Sequence, residues 1–199
     1  MSRWWTALAV VALVAAPVWA YTLVAQGKPV AVARSGLTVT PAIPWNKMNR
    51  RPGRDGEAWT LDGLLLNEVT FYGGVPDGRT LFREVDKRDR PLPRFSATML
   101  APDVAQLFES SYRIAGGTSL FSLDGIEPAT FAGAPGFRFT YSFMLEGEEV
   151  RRRGEATGAV IGGQLWMVSY EAPAIHYFER NLPDYHALVA TARLVMKRS

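Results

Sequence analysis

A pair of adjacent glycines, Gly162 and Gly163, constrains the fold of this chain more than any other sequence feature. The flanking segments, EATGAVI and QLWMVSY, consist mainly of apolar and β-branched residues. A two-residue glycine turn between extended segments predicts a β-hairpin in which Ile161 lies opposite Gln164. Side chains alternate between the two faces of a strand, and near this turn both faces are apolar. The pattern therefore predicts a hairpin that is covered on both sides.

Further strands and two helices are predicted elsewhere. Residues 136–145, GFRFTYSFML, alternate as in a strand with one packed face. A helix is predicted over residues 101–114, APDVAQLFESSYRI, and Gly116 and Gly117 end it. A second helix is predicted to begin at Pro183 and to continue to Lys197 and Arg198. Its expected buried stripe is Tyr185, Leu188, Val189, Ala192 and Val195. Strand runs interrupted by one central and one terminal helix indicate an α+β fold, an antiparallel sheet with helices packed on it.

The N-terminus carries a targeting signal. Residues 1–20 combine a basic start (MSR), an apolar run and a small-residue ending (PVWA), which is the order of a signal peptide. The alternative is an uncleaved membrane anchor over residues 4–25, because the apolar run is long enough to cross a bilayer. Either form predicts a periplasmic or otherwise exported protein, in which residues 26–199 form a single α+β domain. The chain has no cysteine, which excludes thiolate chemistry and cysteine metal sites.

Composition and charge exclude nucleic acid as a partner. The net charge is only +3, and basic residues are not interleaved with aromatic ones as in nucleic-acid binders.

Residues 82–94 are charged and rich in proline, which predicts a solvated loop. Residues 41–58 are predicted to be largely irregular. Their basic part, residues 47–54, is expected either to be solvated or to touch anionic lipid head groups. Trp45 and Trp59 flank it as core anchors or as the lining of a ligand groove.

The two histidines are the first candidates for chemistry. His176 and His186 are ten residues apart with Pro183 between them, whereas a zinc pair on one helix is spaced by about four residues. We therefore expect structural roles for both. No G-x-S-x-G nucleophile motif occurs in the sequence. Paired catalytic carboxylates need an enclosed environment that a sequence does not reveal. The sequence thus predicts no catalytic residue, no metal ligand and no cofactor.

A mixed arginine and aromatic face is the candidate for partner binding. Strand alternation places Arg151 and Arg153 on the face of the hairpin that carries Trp166 and Tyr170, and it places Arg152 on the other face. Arginine and aromatic residues are typical of recognition surfaces. The alternative is a charged strand end that discourages edge pairing.

The order of elements resembles a known family. The segments that carry the resemblance are GLTVTPAIPWNKM, LLLNEVTFYGG, the helix APDVAQLFESSYRI, and LWMVSY before a closing helix. Together they resemble the PsbP-like α/β/α sandwich, found in a photosystem II extrinsic subunit and in periplasmic proteins of the DcrB-like type. The resemblance covers most of residues 30–196, and residues 83–94 have no counterpart in it. It implies an accessory or binding module without shared catalysis.

Three classes of function follow. The first is a non-catalytic exported envelope protein that acts as an accessory or protein-binding module, with another envelope protein as its partner. The second is a carrier or sensor of a small apolar ligand or lipid, which predicts a closed apolar pocket of several hundred cubic ångströms. The third is a metal-dependent hydrolase, which predicts that His176 and His186 converge with a carboxylate. Membrane contact is expected through the N-terminal segment.

Overall fold

The computed structural model describes residues 21–118 and 120–195. The elements along the chain are β1 (Tyr21–Val24), β2 (Val30–Ala31), β3 (Leu37–Val39), β4 (Trp45–Met48), β5 (Gly56–Thr60), β6 (Glu68–Val75), α1 (Ala101–Gly116), β7 (Leu120–Phe131), β8 (Ala134–Met144), β9 (Arg152–Ile161), β10 (Gln164–Pro173), α2 (Tyr177–Ala190) and β11 (Arg193–Leu194). Eight strands form one sheet in the order β1-β4-β5-β6-β10-β9-β8-β7, and every neighbouring pair is antiparallel. The predicted α+β fold is therefore confirmed.

The large sheet is covered on both faces. Helix α1 packs on one face over an aromatic-rich core that includes Phe108, Phe139 and Tyr141. Helix α2 packs on the opposite face, together with the small sheet β11-β3-β2, over a second core that includes Trp59 and Tyr185. The result is three layers, with each face of the sheet buried against its own helix.

The glycine hairpin has the predicted register. Gly162 and Gly163 have φ angles of 61° and 75°, and Ile161 pairs with Gln164. Positive φ at both turn residues is the geometry of a tight hairpin turn that L side chains rarely adopt. Leu165 and Met167 face the α1 core, whereas Val168 and Tyr170 face the α2 core. The hairpin is covered on both sides, as predicted.

Helix α1 also agrees with the prediction. Asp103 in the first turn accepts the backbone N–H of Leu100 at 2.9 Å, which satisfies one free donor at the positive end of the helix. Gly117 closes the helix in the left-handed conformation, with φ of 66°. The buried stripe consists of Val104, Ala105, Leu107, Phe108 and Ser111, and Tyr112 beside it is half-buried.

Helix α2 differs from the prediction at both ends. It begins at Tyr177 rather than at Pro183, so the proline lies inside the helix and leaves one backbone hydrogen bond unmade. The turn before the proline is held by the burial of Phe178 and by Asn181, whose Nδ2 donates to Asp62 at 3.0 Å. The helix ends at Ala190 because the chain then pairs with β3 as β11. Val195 is 60% exposed and does not belong to the buried stripe.

The N-terminal part of the domain contains more strand than predicted. Strand β4 lies in the segment expected to be irregular, and β1 pairs with it from Tyr21 to Val24. The sheet therefore includes residues before position 26, the boundary that the sequence indicated. The predicted signal peptide, residues 1–20, lies outside the described residues. Among the residues described, no helix is both long and apolar enough to span a membrane.

Residues 82–94 are only partly solvated. Phe82 packs edge-on against Tyr72 and Tyr112, with ring centroids 6.1 and 5.8 Å apart, and Leu92 is buried. Phe82 thus packs against the α1 core, while Val85 and charged residues such as Arg88 face solvent.

Candidate functional site

A cleft of about 310 Å³ opens on the face of the sheet that carries α1. The contacts of α1 are mainly with β7 and β8, at one side of the sheet. On the other side, the same face is roofed by loops. The floor of the cleft comes from β5, β6 and β10. The end of α1 and Phe82 contribute to the walls, and residues 50–52 with Arg83 and Val85 complete the lining at the mouth.

Two glutamates lie side by side on the floor. Glu68 on β6 and Glu171 on β10 are direct partners in the antiparallel pairing, which places their Cβ atoms roughly 5 Å apart. Thr70 donates its hydroxyl to Oε1 of Glu68 at 2.7 Å. Tyr112 donates its phenol O–H to Oε2 of Glu171 at 2.7 Å, and it thereby connects the floor to α1.

The two carboxyl groups hold a proton more tightly than free carboxyl groups do. Burial, and after it the neighbouring charge of Glu68, raises the pKa of Glu171 to about 7. Burial likewise raises the pKa of Glu68, against the opposing effects of Thr70 and of the charges of Arg152 and Arg50. Desolvation and a like charge both disfavour ionisation of a carboxyl group. The pair therefore exchanges a proton near neutral pH.

Aromatic side chains form the walls. Tyr72, Phe82 and Tyr112 all line the cleft. Burial raises the pKa of Tyr72 and of Tyr112 well above the ordinary value of 10, so both phenols stay neutral. The walls therefore offer apolar ring surface and a hydroxyl donor, and they add no charge.

Arginines surround the carboxyl pair. Arg50, Arg51 and Arg83 line the mouth. Arg51 donates Nη1 to the carbonyl of Arg54 at 2.9 Å, and its Nη2 is buried without a hydrogen-bond partner among the described residues. Arg152 is 3% exposed and donates Nη1 to the carbonyl of Leu65 at 3.0 Å. Its Nε is likewise buried without a partner in the described part of the chain.

The arginines of the predicted partner surface have contacts within the domain. Arg151 donates Nη2 to the hydroxyl of Ser142 at 2.8 Å. Arg153 pairs with Glu179 of α2, and its guanidinium carbon lies 4.4 Å from the ring centroid of Phe178. Both residues are nevertheless exposed, so a role in partner binding stays a prediction for them.

The aromatic half of that predicted surface is mostly internal. Tyr170 is completely buried, and its hydroxyl donates to the carbonyls of Tyr177 and Phe178 at 3.0 and 3.1 Å. Its inclusion in an exposed contact surface is therefore wrong, because α2 covers this face of β10. Trp166 is half-buried, and it pairs with Ala159, six residues along β9 from Arg153 and thus about 20 Å away. Trp166 and the two arginines do not form one contiguous patch.

The histidines lie in separate environments. His176 precedes the first turn of α2, and His186 lies ten residues further along, a rise of about 15 Å. Nε2 of His186 is 2.9 Å from Oε1 of Glu155. Among the described residues, no group of three His, Asp or Glu side chains is placed to hold a metal ion.

The tryptophans that flank the basic loop do not line the cleft. Trp45 and Trp59 are buried in the α2 core, with ring centroids 6.5 Å apart. The residues of this segment that do line the cleft are Met48, Arg50, Arg51 and Pro52, on the opposite face of the sheet.

The sequence did not predict that Glu68 and Glu171 form a pair. The hairpin register places Glu171 on the α1 face, but Glu68 joins it only through the pairing of β6 with β10, about a hundred residues apart in sequence. The one local signal is a charged residue within a predicted strand at each position, NEVTF and SYEAP.

No protein-family model and no curated protein matches this sequence. Among solved structures, the chain is similar to a crystal structure from Bacteroides thetaiotaomicron VPI-5482, with a TM-score of 0.50, 8% identity and coverage of 86% of this chain and 50% of that one, so it spans half of that protein. It is also similar to the solution structure of cyanobacterial PsbP (CyanoP) from Synechocystis sp. PCC 6803, with a TM-score of 0.44, 15% identity and coverage of 88% and 82%. A third similar structure is LpqN, involved in cell envelope biogenesis of Mycobacterium tuberculosis, with a TM-score of 0.38, 11% identity and coverage of 89% and 91%.

Proposed function

We propose that this protein is a non-catalytic, exported envelope protein that acts as a binding module, and that it binds its partner in the cleft over Glu68 and Glu171. The supporting observation is the placement of these two carboxyl groups. Like charges directly opposite each other destabilise a sheet, and partial burial adds to the cost. Neither carboxylate forms an ion pair with a described residue within 4 Å, so no salt bridge of the fold explains the arrangement. Groups with perturbed titration in a cleft are typical of functional sites.

The geometry favours this class over the other two. A carrier of purely apolar ligands needs an apolar pocket, whereas the floor here presents two carboxyl groups and the hydroxyl of Thr70. A hydrolase that uses both histidines needs them to converge, whereas His176 precedes α2 and His186 lies ten residues further along the chain, within the helix. Residues 1–20, as a signal peptide or as part of an anchor, would deliver the domain to the outer side of the cytoplasmic membrane.

Site-specific photo-cross-linking in cells tests the location of the binding site. Val85 is 95% exposed and lines the cleft, so a photoreactive amino acid at this position reaches an occupant. Matched positions elsewhere are Val150, 43% exposed and next to Arg151, and Ile175, 80% exposed before α2. With the full-length tagged protein in its own cell envelope, we expect a protein or lipid adduct from position 85, lost when Glu68 and Glu171 are both changed to glutamine.

Cross-linking at the control positions 150 and 175 shows where a partner binds if it does not bind in the cleft. An adduct from position 150 but not from position 85 would contradict the cleft and favour the Arg151–Arg153 face that the sequence indicated. An absence of adducts from all three positions would contradict binding to an envelope partner altogether.

A further inference from the structure

The floor of the cleft is suited to a positively charged group. Each carboxyl group uses one oxygen within the domain, toward Thr70 or Tyr112. Oε2 of Glu68 and Oε1 of Glu171 have no hydrogen-bond partner among the described residues. An ammonium group carries up to three N–H donors and no acceptor, so it satisfies both oxygens at once. Its charge also removes the repulsion between the two carboxylates.

The walls are suited to the same group. Phe82 stands edge-on to Tyr72 and to Tyr112, with interplanar angles of 83° and 89°, and all three residues line the cleft. Aromatic rings attract cations through the negative potential of their faces, so these walls favour an ammonium group over a neutral one.

The mouth is suited to the opposite charge. Arg50, Arg51 and Arg83 line it, and Nη2 of Arg51 is a buried donor that has no acceptor in the described part of the chain. Guanidinium groups bind phosphate and carboxylate groups. A simple cation would meet three guanidinium groups on its way in, and a simple anion would meet two carboxyl groups at the floor. A molecule that carries both charges has favourable contacts at both ends.

We infer that the cleft binds a zwitterion, with its ammonium group between Glu68 and Glu171 and its phosphate or carboxylate group at Arg50, Arg51 and Arg83. This inference rests on the proposed function, because it names the chemistry of what the cleft holds. Phosphodiester zwitterions occur as lipid head groups, and carboxylate zwitterions occur as amino acids and peptides.

Binding of such a ligand depends on pH. The charged and titratable groups around Glu171 come from several elements: Glu68 and Tyr72 of β6, Arg152 of β9, Tyr141 of β8, Tyr112 of α1 and Arg50 of the loop. Burial and Glu68 raise the pKa of Glu171 to about 7. The ammonium group binds the ionised pair, so affinity falls as the pH is lowered through 7. We expect binding at pH 5.5 to be at least roughly tenfold weaker than at pH 7.5, where both Glu171 and the amino group of either zwitterion are mostly charged.

Calorimetric titration of the full-length protein in a nonionic detergent tests the ligand class. The zwitterionic probes are glycerophosphoethanolamine and the dipeptide Ala-Ala, and the single-charge probes are ethanolamine and dimethyl phosphate. We expect one or both zwitterions to bind at least tenfold more tightly than either single-charge probe. Glu171→Gln and Arg51→Gln should each weaken this binding roughly tenfold or more, since each removes a hydrogen-bonding charge. Glu149→Gln and Arg88→Gln, at exposed positions outside the cleft, should leave it within about twofold.

A second arm separates the sources of the ligand. Co-sedimentation with vesicles that contain phosphatidylethanolamine, but not with vesicles of phosphatidylglycerol, would support a lipid head group. Binding of the soluble probes alone would support a free zwitterion. Single-charge probes that bind as tightly as zwitterions, or a Glu171→Gln variant that binds as tightly as the wild type, would overturn the inference. A cross-link from position 85 without zwitterion binding would refute the ligand class and leave the cleft as the binding site.

Discussion

Replacing Glu171 with glutamine should stabilise the protein above neutral pH. Glutamine keeps the shape of the side chain and still accepts the hydrogen bond from Tyr112, but it removes the charge that faces Glu68. In the folded protein the pKa of Glu171 is raised from 4.5 to about 7 by burial and by Glu68. Each pH unit of this difference corresponds to about 1.36 kcal/mol. The ionised carboxylate therefore costs the folded state about 3 kcal/mol at alkaline pH.

The sign of the pH dependence follows from proton binding. Between pH 4.5 and about 7 the folded state holds a proton at Glu171 that the unfolded state has released. The stability of the wild type therefore falls as the pH rises through this window. At pH 8.5 we expect Glu171→Gln to raise the free energy of unfolding by about 1 to 3 kcal/mol. At pH 4.5 and below, the substitution should have little effect on stability.

Urea unfolding at pH 4.5 and pH 8.5 measures this difference. The buried Trp45 and Trp59 provide a fluorescence signal for the transition. With an m-value of about 2 kcal/mol per molar urea, the midpoint at pH 8.5 should rise by roughly 0.5 to 1.5 M. Glu149→Gln, at an exposed site, is the matched control and should shift the midpoint little at either pH. A variant that is destabilised at pH 8.5, or shifted equally at both pH values, would refute the cost of ionising Glu171 in this buried position beside Glu68.

Other substitutions test the fold and the roles assigned to single residues. Changing Gly162 and Gly163 to valine should lower the free energy of unfolding by about 2 to 4 kcal/mol, because both have positive φ. A Gly162→Asn control should keep most of the wild-type stability. Unchanged thermal unfolding of the valine variant would contradict the turn. Tyr170→Phe should cost about 1 to 3 kcal/mol in urea unfolding and leave cross-linking at position 85 unchanged, since its hydroxyl serves backbone carbonyls. Changing both His176 and His186 to alanine should cost less than about 1 kcal/mol, because the contact of His186 with Glu155 is partly exposed; loss of binding in this variant would speak for a histidine site.

The parts of the fold that the sequence predicted correctly are those with local signals. The Gly162–Gly163 turn sets the register of its own hairpin, and Asp103 and Gly117 mark the two ends of α1. Local signals were misleading at Pro183, where they predicted a helix start. There the packing of Phe178 holds an earlier turn, and tertiary contacts outweigh the local preference of proline.

The candidate site could not be predicted because it depends on contacts between distant segments. Glu68 and Glu171 meet through strand pairing, Tyr112 reaches them from α1, and Arg51 approaches from a loop. Strand alternation alone placed Arg151 and Arg153 together on one face of the hairpin. It did not show that α2 covers Tyr170 on that same face.

One substitution separates a structural role of the carboxyl pair from a binding role. Neutralising a buried polar group that supports the fold lowers the stability of the protein, because the partners of that group are left unsatisfied. Neutralising a group that serves binding, and whose charge destabilises the fold, raises the stability of the protein instead. Glu171→Gln is expected to gain stability at pH 8.5 and to lose affinity for a zwitterion in the same protein sample. Because these two changes have opposite signs, a general disturbance of the structure cannot produce both.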